Sequence, residues 1–197
     1  LKDKDAWWFM FFYSVTFGGF VGLASSLTIY FNDQYGLAPV HAGYFTAACV
    51  FAGSLVRPFG GLLADRIGGI RSLTIMYILA AIFLLILSFG LKEQVMGLTL
   101  VVLAMAALGM GNGAVFQLVP QRFRKEIGVM TGLVGMAGGV GGFYLASSLG
   151  YSKQVTGSYQ VGLLIFAGLA VVALLGLIRV KNRWRTTWGS ATATTAK

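Results

Sequence analysis

The chain has 197 residues, of which 57% are hydrophobic and 11% are charged. Because soluble domains carry roughly 25% charged residues, this composition excludes the water-soluble classes and indicates an integral membrane protein. The formal net charge of +9 would suggest nucleic-acid binding in a soluble protein, but the positions of the basic residues explain it without a nucleic-acid partner. One cysteine and one histidine are too few for an internal disulfide or a metal site, and no cofactor is expected.

Six apolar runs follow one another along the chain, each near or above the roughly 20 residues that span a bilayer. They lack the period-two alternation of transmembrane strands, so six helices are predicted. The runs cover residues 6–31, 39–63, 72–91, 95–119, 127–151 and 159–180. The predicted fold is an all-α membrane protein with one six-helix unit over residues 1–185 and a disordered cytoplasmic tail over 186–197. Since the chain begins with leucine, we expect it to be part of a longer polypeptide.

Lysine and arginine residues predict the orientation of the helices. Twelve of the 15 lie in the N-terminal segment, the second and fourth loops and the C-terminal segment, whereas Lys92 and Lys153 alone occupy the other loops. By the positive-inside rule, both termini of this multi-pass chain are predicted to lie on the cytoplasmic side of the cell membrane.

The remaining basic residue, Arg57, is the one charge inside an apolar run. A charged side chain in a bilayer costs at least ~2.5–3.5 kcal/mol on insertion scales, so a retained one is a functional candidate. Pro58 follows it and has no N–H to donate, which predicts a kink. One interpretation is an arginine that reaches the lipid headgroups; the other is a cation that faces an internal cavity.

Glycine is concentrated in the fifth run, in a regular spacing. Steps of four and three residues place five glycines on one helical face, namely Gly128, Gly132, Gly135, Gly139 and Gly142. Two more, Gly138 and Gly141, are expected to widen this groove. Such spacing commonly serves close helix packing, but it also lets a flat ligand lie near the backbone.

Several polar and aromatic positions fall at a similar depth when the helix rise of 1.5 Å per residue is applied. Measured from the cytoplasmic end of each run, the depths are ~10 Å for Tyr13, ~16 Å for Phe17, ~9 Å for Arg57, ~10 Å for Asn112, ~8 Å for Gly132 and ~12 Å for Gly135. A guanidinium binds planar oxyanions bidentately, and hydroxyl and amide groups supply further donors. All six acidic residues lie at run ends or in loops, Asp5 among the latter. A small anion is therefore the predicted ligand.

Four stretches resemble motifs of known transporters. Residues 61–68, GLLADRIG, followed by Arg71, resemble the cytoplasmic loop motif of the major facilitator superfamily. Residues 132–145, GLVGMAGGVGGFYL, resemble the second nitrate signature of the nitrate/nitrite porter family. Residues 109–117, GMGNGAVFQ, are similar to the tenth helix of that family, and residues 13–18, YSVTFG, are similar to the start of its seventh.

The resemblance implies the C-terminal half of a twelve-helix transporter that moves nitrate or nitrite by alternating access, with the N-terminal six-helix half as partner. It implies that Arg57 is this half's anion-binding arginine, that Tyr13 donates a hydrogen bond and that Phe17 packs on the anion. Gly132 and Gly135 would bring backbone close to the anion. The implied gate residues are Gly61, Asp65, Arg66, Gly68 and Arg71.

Other functions remain open at this point. A facilitator half for another small anion, such as a carboxylate, would have the same cation, and an anion channel would also place an arginine in its pore. An intramembrane enzyme would need a nucleophile and a base that face each other. The single histidine, His41, lies at an outer helix end and no Gly-x-Ser-x-Gly motif is present, so enzymatic function is not expected.

Overall fold

A computed structural model describes residues 3–188 as seven α-helices joined by short connections, with no strand in that range. The helices are α1 (Lys4–Tyr35), α2 (Pro39–Leu55), α3 (Arg57–Ile67), α4 (Gly69–Leu87), α5 (Gln94–Arg122), α6 (Ile127–Thr156) and α7 (Gln160–Thr187). Helices α2 and α3 together form one interrupted span. Six spans in the described part of the chain are therefore long and apolar enough to cross a membrane, as predicted.

The helix ends follow local capping more closely than the limits of the apolar runs. Helix α1 begins early because the Asp3 side chain accepts a hydrogen bond from the backbone N–H of Asp5 at 2.8 Å. It ends at Gly36, whose φ of 65° is the left-handed conformation typical of a helix C-terminus. Helix α7 continues to Thr187, two residues into the predicted tail. The remainder of that tail, from residue 189, lies outside the described residues.

Helix α1 is the most buried span and packs against α2, α5, α6 and α7. Helix α4 packs against α3, α5 and α7 on the other side of the bundle. Helix α1 begins at one end of the bundle, and α3, α5 and α7 finish at that same end. We call it the terminal end. Around α1, this arrangement brings together residues from four other helices.

A charged cluster joins three helices at the terminal end. The Asp5 carboxylate accepts hydrogen bonds from Arg122 Nε at 2.8 Å and from Trp184 Nε1 at 2.9 Å, and Arg183 also donates to it. The prediction that Asp5 lies in a loop is wrong: it is in the first turn of α1 and 6% exposed. The Asp3 cap starts the helix before the apolar run, and donors from α5 and α7 then enclose the carboxylate.

A second polar cluster joins α1, α6 and the start of α7 at the opposite end. The Tyr159 hydroxyl donates to Asp33 at 2.8 Å, and Lys153 Nζ lies 3.4 Å from the same carboxylate. Burial raises the pKa of Tyr159, and the hydrogen bond to Asp33 raises it further. Both ends of α1 are thus attached to neighbouring helices by polar contacts.

Two spans, the α2–α3 span and α6, are less buried than the other four. Both expose large apolar side chains, including Phe51 and Phe59 on the first and Phe143 and Tyr144 on the second. We call these exposed apolar side chains of the two spans the open face.

Candidate functional site

Arg57 lies at the interruption between α2 and α3, where Val56 leaves the helical pattern. Pro58 has no N–H, so the carbonyl of Ser54 loses its usual helical donor. Regular hydrogen bonding resumes with Gly60, whose N–H donates to the Val56 carbonyl at 3.1 Å. The predicted kink is confirmed. It places Arg57 directly at the break between the two helices.

Glycines let α5 lie directly against this interrupted span. A Cβ at Gly60 would overlap the backbone of Met110, so the two helices are in backbone contact there. Gly61 is less crowded, because a Cβ there would lie 3.9 Å from the Gly113 carbonyl oxygen. The close approach holds the start of α3, with Arg57, beside the middle of α5.

The Arg57 guanidinium lies over two aromatic rings of α1. Its Cζ atom is 5.4 Å from the ring centroid of Phe17 and 4.4 Å from that of Phe20. The side chain is half-buried, and its Nε atom is buried without a hydrogen-bond partner. No ion pair joins Arg57 to another residue between positions 3 and 188. Aromatic faces, and no acidic side chain of the described residues, therefore contact this cation.

Tyr13 and Phe17 form a parallel stack beside the arginine. Their centroids are 5.1 Å apart with an interplanar angle of 4°, and the edge of Phe116 from α5 meets Tyr13 at 4.9 Å. Gly138 of α6 packs under both rings, since a Cβ there would come within 2.7 Å of Tyr13 and 2.8 Å of Phe17. Three of the predicted site residues, Arg57, Tyr13 and Phe17, are thus brought together.

Asn112 of α5 is 3% exposed, and neither its amide nitrogen nor its oxygen has a partner in the described structure. It lies one turn after Leu108, which contacts Gly19 of α1, and one turn before Phe116, which contacts Tyr13. This register directs Asn112 toward the segment of α1 between those two contacts. A buried unpaired amide costs about 1–3 kcal/mol, so this group is suited to bind a ligand or a water molecule.

The glycines of α6 fall on two edges with different surroundings. A Cβ would meet atoms of α1 at Gly138, Gly141 and Gly142, which we call the packed edge. Nothing lies within 4 Å of the Cβ position at Gly128, Gly132, Gly135 and Gly139, which we call the open edge. The expectation that Gly138 and Gly141 widen a groove that Gly142 also lines is wrong, because all three glycines face α1. Gly132 and Gly135 do border open space, but no described contact joins either to Arg57.

The predicted gate motif lies where α3 ends and α4 begins. Gly68 has a φ of 92°, a conformation that residues other than glycine rarely adopt. Asp65 Oδ1 accepts a hydrogen bond from Gln117 Nε2 of α5 at 3.0 Å. Arg66 and Arg71 are exposed and form no ion pair within the described residues. Asp65 is therefore attached to α5, while the two arginines remain available.

Some residues that the sequence analysis did not single out contact predicted site residues, and one of them is Phe116, whose ring meets Tyr13. Phe20 contacts Arg57, and its position three residues after Phe17 on the same face of α1 could have indicated this. Gln117 contacts Asp65 and is the last residue of the GMGNGAVFQ stretch that was matched to a known helix.

The comparisons with known proteins agree with this architecture. The sequence profile of the Major Facilitator Superfamily matches residues 1–146. The chain is 37% identical over 181 residues to the nitrite extrusion protein of Bacillus subtilis (strain 168), covering 91% of this chain and 44% of that protein. It is 34% identical over 196 residues to the probable nitrate/nitrite antiporter NarK1 of Thermus thermophilus, with 89% and 44% coverage. For the probable nitrate transporter NarT of Staphylococcus epidermidis, identity is 30% over 183 residues, with 92% and 47% coverage.

The chain spans less than half the length of these three relatives. Their names describe nitrate or nitrite transport, which confirms the resemblance inferred from the motifs and favours transport over enzymatic chemistry. The profile match covers most of the chain, and the six membrane spans agree with it. The chain belongs to the Major Facilitator Superfamily.

Proposed function

We propose that this chain supplies the C-terminal half of a secondary transporter that moves nitrate, nitrite or both across the cytoplasmic membrane by alternating access. The observation that carries the proposal is Arg57, an intramembrane cation that contacts aromatic rings and has no acidic partner among residues 3–188. A guanidinium stays charged in such a setting and calls for an anion. The relatives' names, which describe nitrite extrusion and nitrate/nitrite antiport, support nitrate or nitrite as that anion.

Nitrate and nitrite are small planar oxyanions, and the site offers complementary groups. The guanidinium of Arg57 donates two parallel N–H···O bonds to such an anion. The Tyr13 hydroxyl and the unpartnered Asn112 amide supply further donors. The Phe17 ring packs against the plane of the anion. Each of these side chains acts by binding and orienting the substrate, and none undergoes covalent chemistry.

The proposed partner is the N-terminal six-helix half, seated on the open face. Facilitator halves are related by an axis along the membrane normal, which places a substrate site between them. The exposed Phe51, Phe59 and Phe143 side chains offer an apolar surface for the partner. Gly132 and Gly135, on the open edge of α6, would then border the space between the halves and let the anion approach the backbone.

The terminal end is proposed to face the cytoplasm, because most of the basic residues lie there. In this orientation the gate motif lies at the cytoplasmic entrance. Gln117 holds Asp65 against α5, so the exposed Arg66 and Arg71 are the residues free to pair with the other half.

Transport by the assembled halves tests this proposal. The chain is co-expressed with the half of the Bacillus subtilis relative that it does not cover, and nitrate uptake and counterflow are measured in proteoliposomes. The relative's own two halves, co-expressed, are the positive control. We expect saturable uptake by the pair and none by either half alone.

Arg57→Lys in that pair keeps the charge but loses the bidentate fork, and should reduce nitrate uptake about tenfold or more. The same exchange at the exposed Arg124 is the matched control and should have no effect. Saturable counterflow by this chain alone would contradict the half-transporter, and non-saturating flux would indicate a channel. Near-normal uptake by Arg57→Lys would mean that the Arg57 side chain extends to the lipid headgroups and does not bind the transported anion.

A further inference from the structure

We infer that Phe20 is a positioning residue for Arg57: its ring, rather than an acidic side chain, holds the guanidinium where the anion meets it. The inference rests on the proposed function, in which Arg57 is the anion ligand. It assigns a role to a residue beyond the predicted set of Tyr13, Phe17 and Asn112.

The two rings under Arg57 differ in distance and in burial. Phe20 is the nearer, at 4.4 Å from Cζ, and is 3% exposed, so surrounding side chains lock its ring in place. Phe17 lies at 5.4 Å, is half-buried and stacks on Tyr13. Cation–π attraction acts within about 6 Å and strengthens when the pair is removed from water. Phe20 is therefore suited to be the permanent support of the cation, which leaves Phe17 free to contact the anion.

Gly53 provides the room that the Phe20 ring occupies. A Cβ at Gly53 would lie 2.6 Å from Phe20 Cε2 and 2.9 Å from the Met105 carbonyl oxygen. Gly53 precedes Arg57 by four residues, so the absent side chain of α2 and the cation of α3 lie on adjacent turns of the same interrupted span. The interrupted span thus accommodates the ring beside the cation that the ring supports.

A phenylalanine that only fills space in the core would pack in the same way as Phe20. The electron distribution of such a ring would have no effect on the position of Arg57. The buried Nε atom of Arg57 has no hydrogen-bond partner, and no ion pair in the described range orients the guanidinium. The ring quadrupole of Phe20 is then the close electrostatic partner of the cation. Changing the quadrupole without changing the shape of the ring separates positioning from packing.

Mono-, di- and trifluorophenylalanine at position 20 weaken the ring quadrupole in steps while they keep its shape. In the co-expressed pair, the KM for nitrate should rise stepwise to about tenfold, with little change in the maximal rate. Phe31 is the matched control because it is fully buried on the same helix, with no cation recorded over its ring in residues 3–188. The same substitutions at Phe31 should leave the KM unchanged. An unchanged KM for the position-20 series, or an equal rise at both positions, would overturn the inference.

A second measurement does not depend on transport. In detergent-solubilised protein labelled with ¹⁵N-arginine, the Arg57 Hε resonance, assigned by its loss in Arg57→Lys, should show an upfield ring-current shift. Phe20→Leu should remove most of that shift, Gly53→Ala should alter it, and Phe31→Leu should leave it unchanged. An Arg57 resonance that is the same with and without the Phe20 ring would refute the positioning role. If the shift behaves as expected but the pair moves no nitrate or nitrite, the proposed function alone fails.

Discussion

The two glycine edges of α6 use the same residue for opposite purposes. On the packed edge, the missing side chains let α1 approach to backbone contact, and a Cβ at Gly141 would lie 3.0 Å from the Ser14 Cα atom. On the open edge, the missing side chain at Gly135 borders empty space. Both edges follow helical spacing, so spacing alone does not distinguish a glycine that packs from one that leaves a path. The difference depends on whether another helix packs against that edge of α6.

Two acidic residues near the terminal end show the same contrast. Asp5 is buried and accepts hydrogen bonds from Arg122, Arg183 and Trp184 on two other helices. Asp65 is exposed and accepts one described hydrogen bond, from Gln117. Asp5 connects α1 to α5 and α7 in the core of the bundle. Asp65 instead attaches the end of α3, which belongs to a span of the open face, to α5.

Gly141→Leu should have the largest effect, because it forces a side chain into the backbone of α1. Overpacking of this kind costs about 3 kcal/mol, and more where the neighbouring backbone is rigid. We expect little monodisperse protein by size-exclusion chromatography in detergent. Gly139→Leu, on the open edge, is the matched control and should behave like the unmodified chain. A well-folded Gly141→Leu protein would show that the two edges do not differ as described.

Gly135→Leu should abolish transport while leaving the protein folded, because the added side chain enters space that the substrate would use. Nitrate uptake by the co-expressed pair and the apparent Tm are the two measurements. Gly150→Leu places the same side chain in open space near the far end of α6 and should retain uptake. Normal uptake by Gly135→Leu would mean that the open edge faces lipid rather than the substrate path.

Asp5→Asn should destabilise the chain by about 1–3 kcal/mol, since the half-buried Arg122 and the buried Trp184 lose a charged acceptor. Thermal unfolding in detergent should give a lower apparent Tm than for the unmodified protein. Glu126→Gln, at an exposed position just before α6, removes one negative charge as well and serves as the control. Equal Tm values for the two variants would mean that Asp5 contributes no more to stability than an exposed acidic residue.

Gln117→Ala should have the smallest effect on stability, within about 0.5 kcal/mol, because it removes an exposed hydrogen bond to Asp65. Its apparent Tm is compared with that of Asp5→Asn in the same detergent. A Tm loss as large as that of Asp5→Asn would mean that the gate motif belongs to the rigid core, which would contradict the contrast between the two acids.

The six spans and the break beside Arg57 could be predicted from the amino-acid sequence alone. In lipid each backbone polar group needs an internal partner, so an apolar run of about 20 residues that spans the bilayer becomes a helix. The missing N–H of Pro58 acts locally, which is why the kink was predictable without knowledge of neighbouring helices. The association of Arg57 with Tyr13 and Phe17 could also be predicted, because similar depth and family resemblance pointed to the same residues.

The surroundings of these residues depend on contacts between helices that are far apart in the chain. Asp5 is buried because Arg122 and Arg183 reach it from 117 and 178 residues further along the chain, and hydropathy contains no information about such contacts. The two edges of α6 became distinct only when α1 covered one of them. Likewise, Phe20 is a neighbour of Arg57 because α1 and the interrupted span meet at that depth and with that rotation. Period and hydropathy place a residue on a face of its helix, but packing between distant helices determines what that face meets.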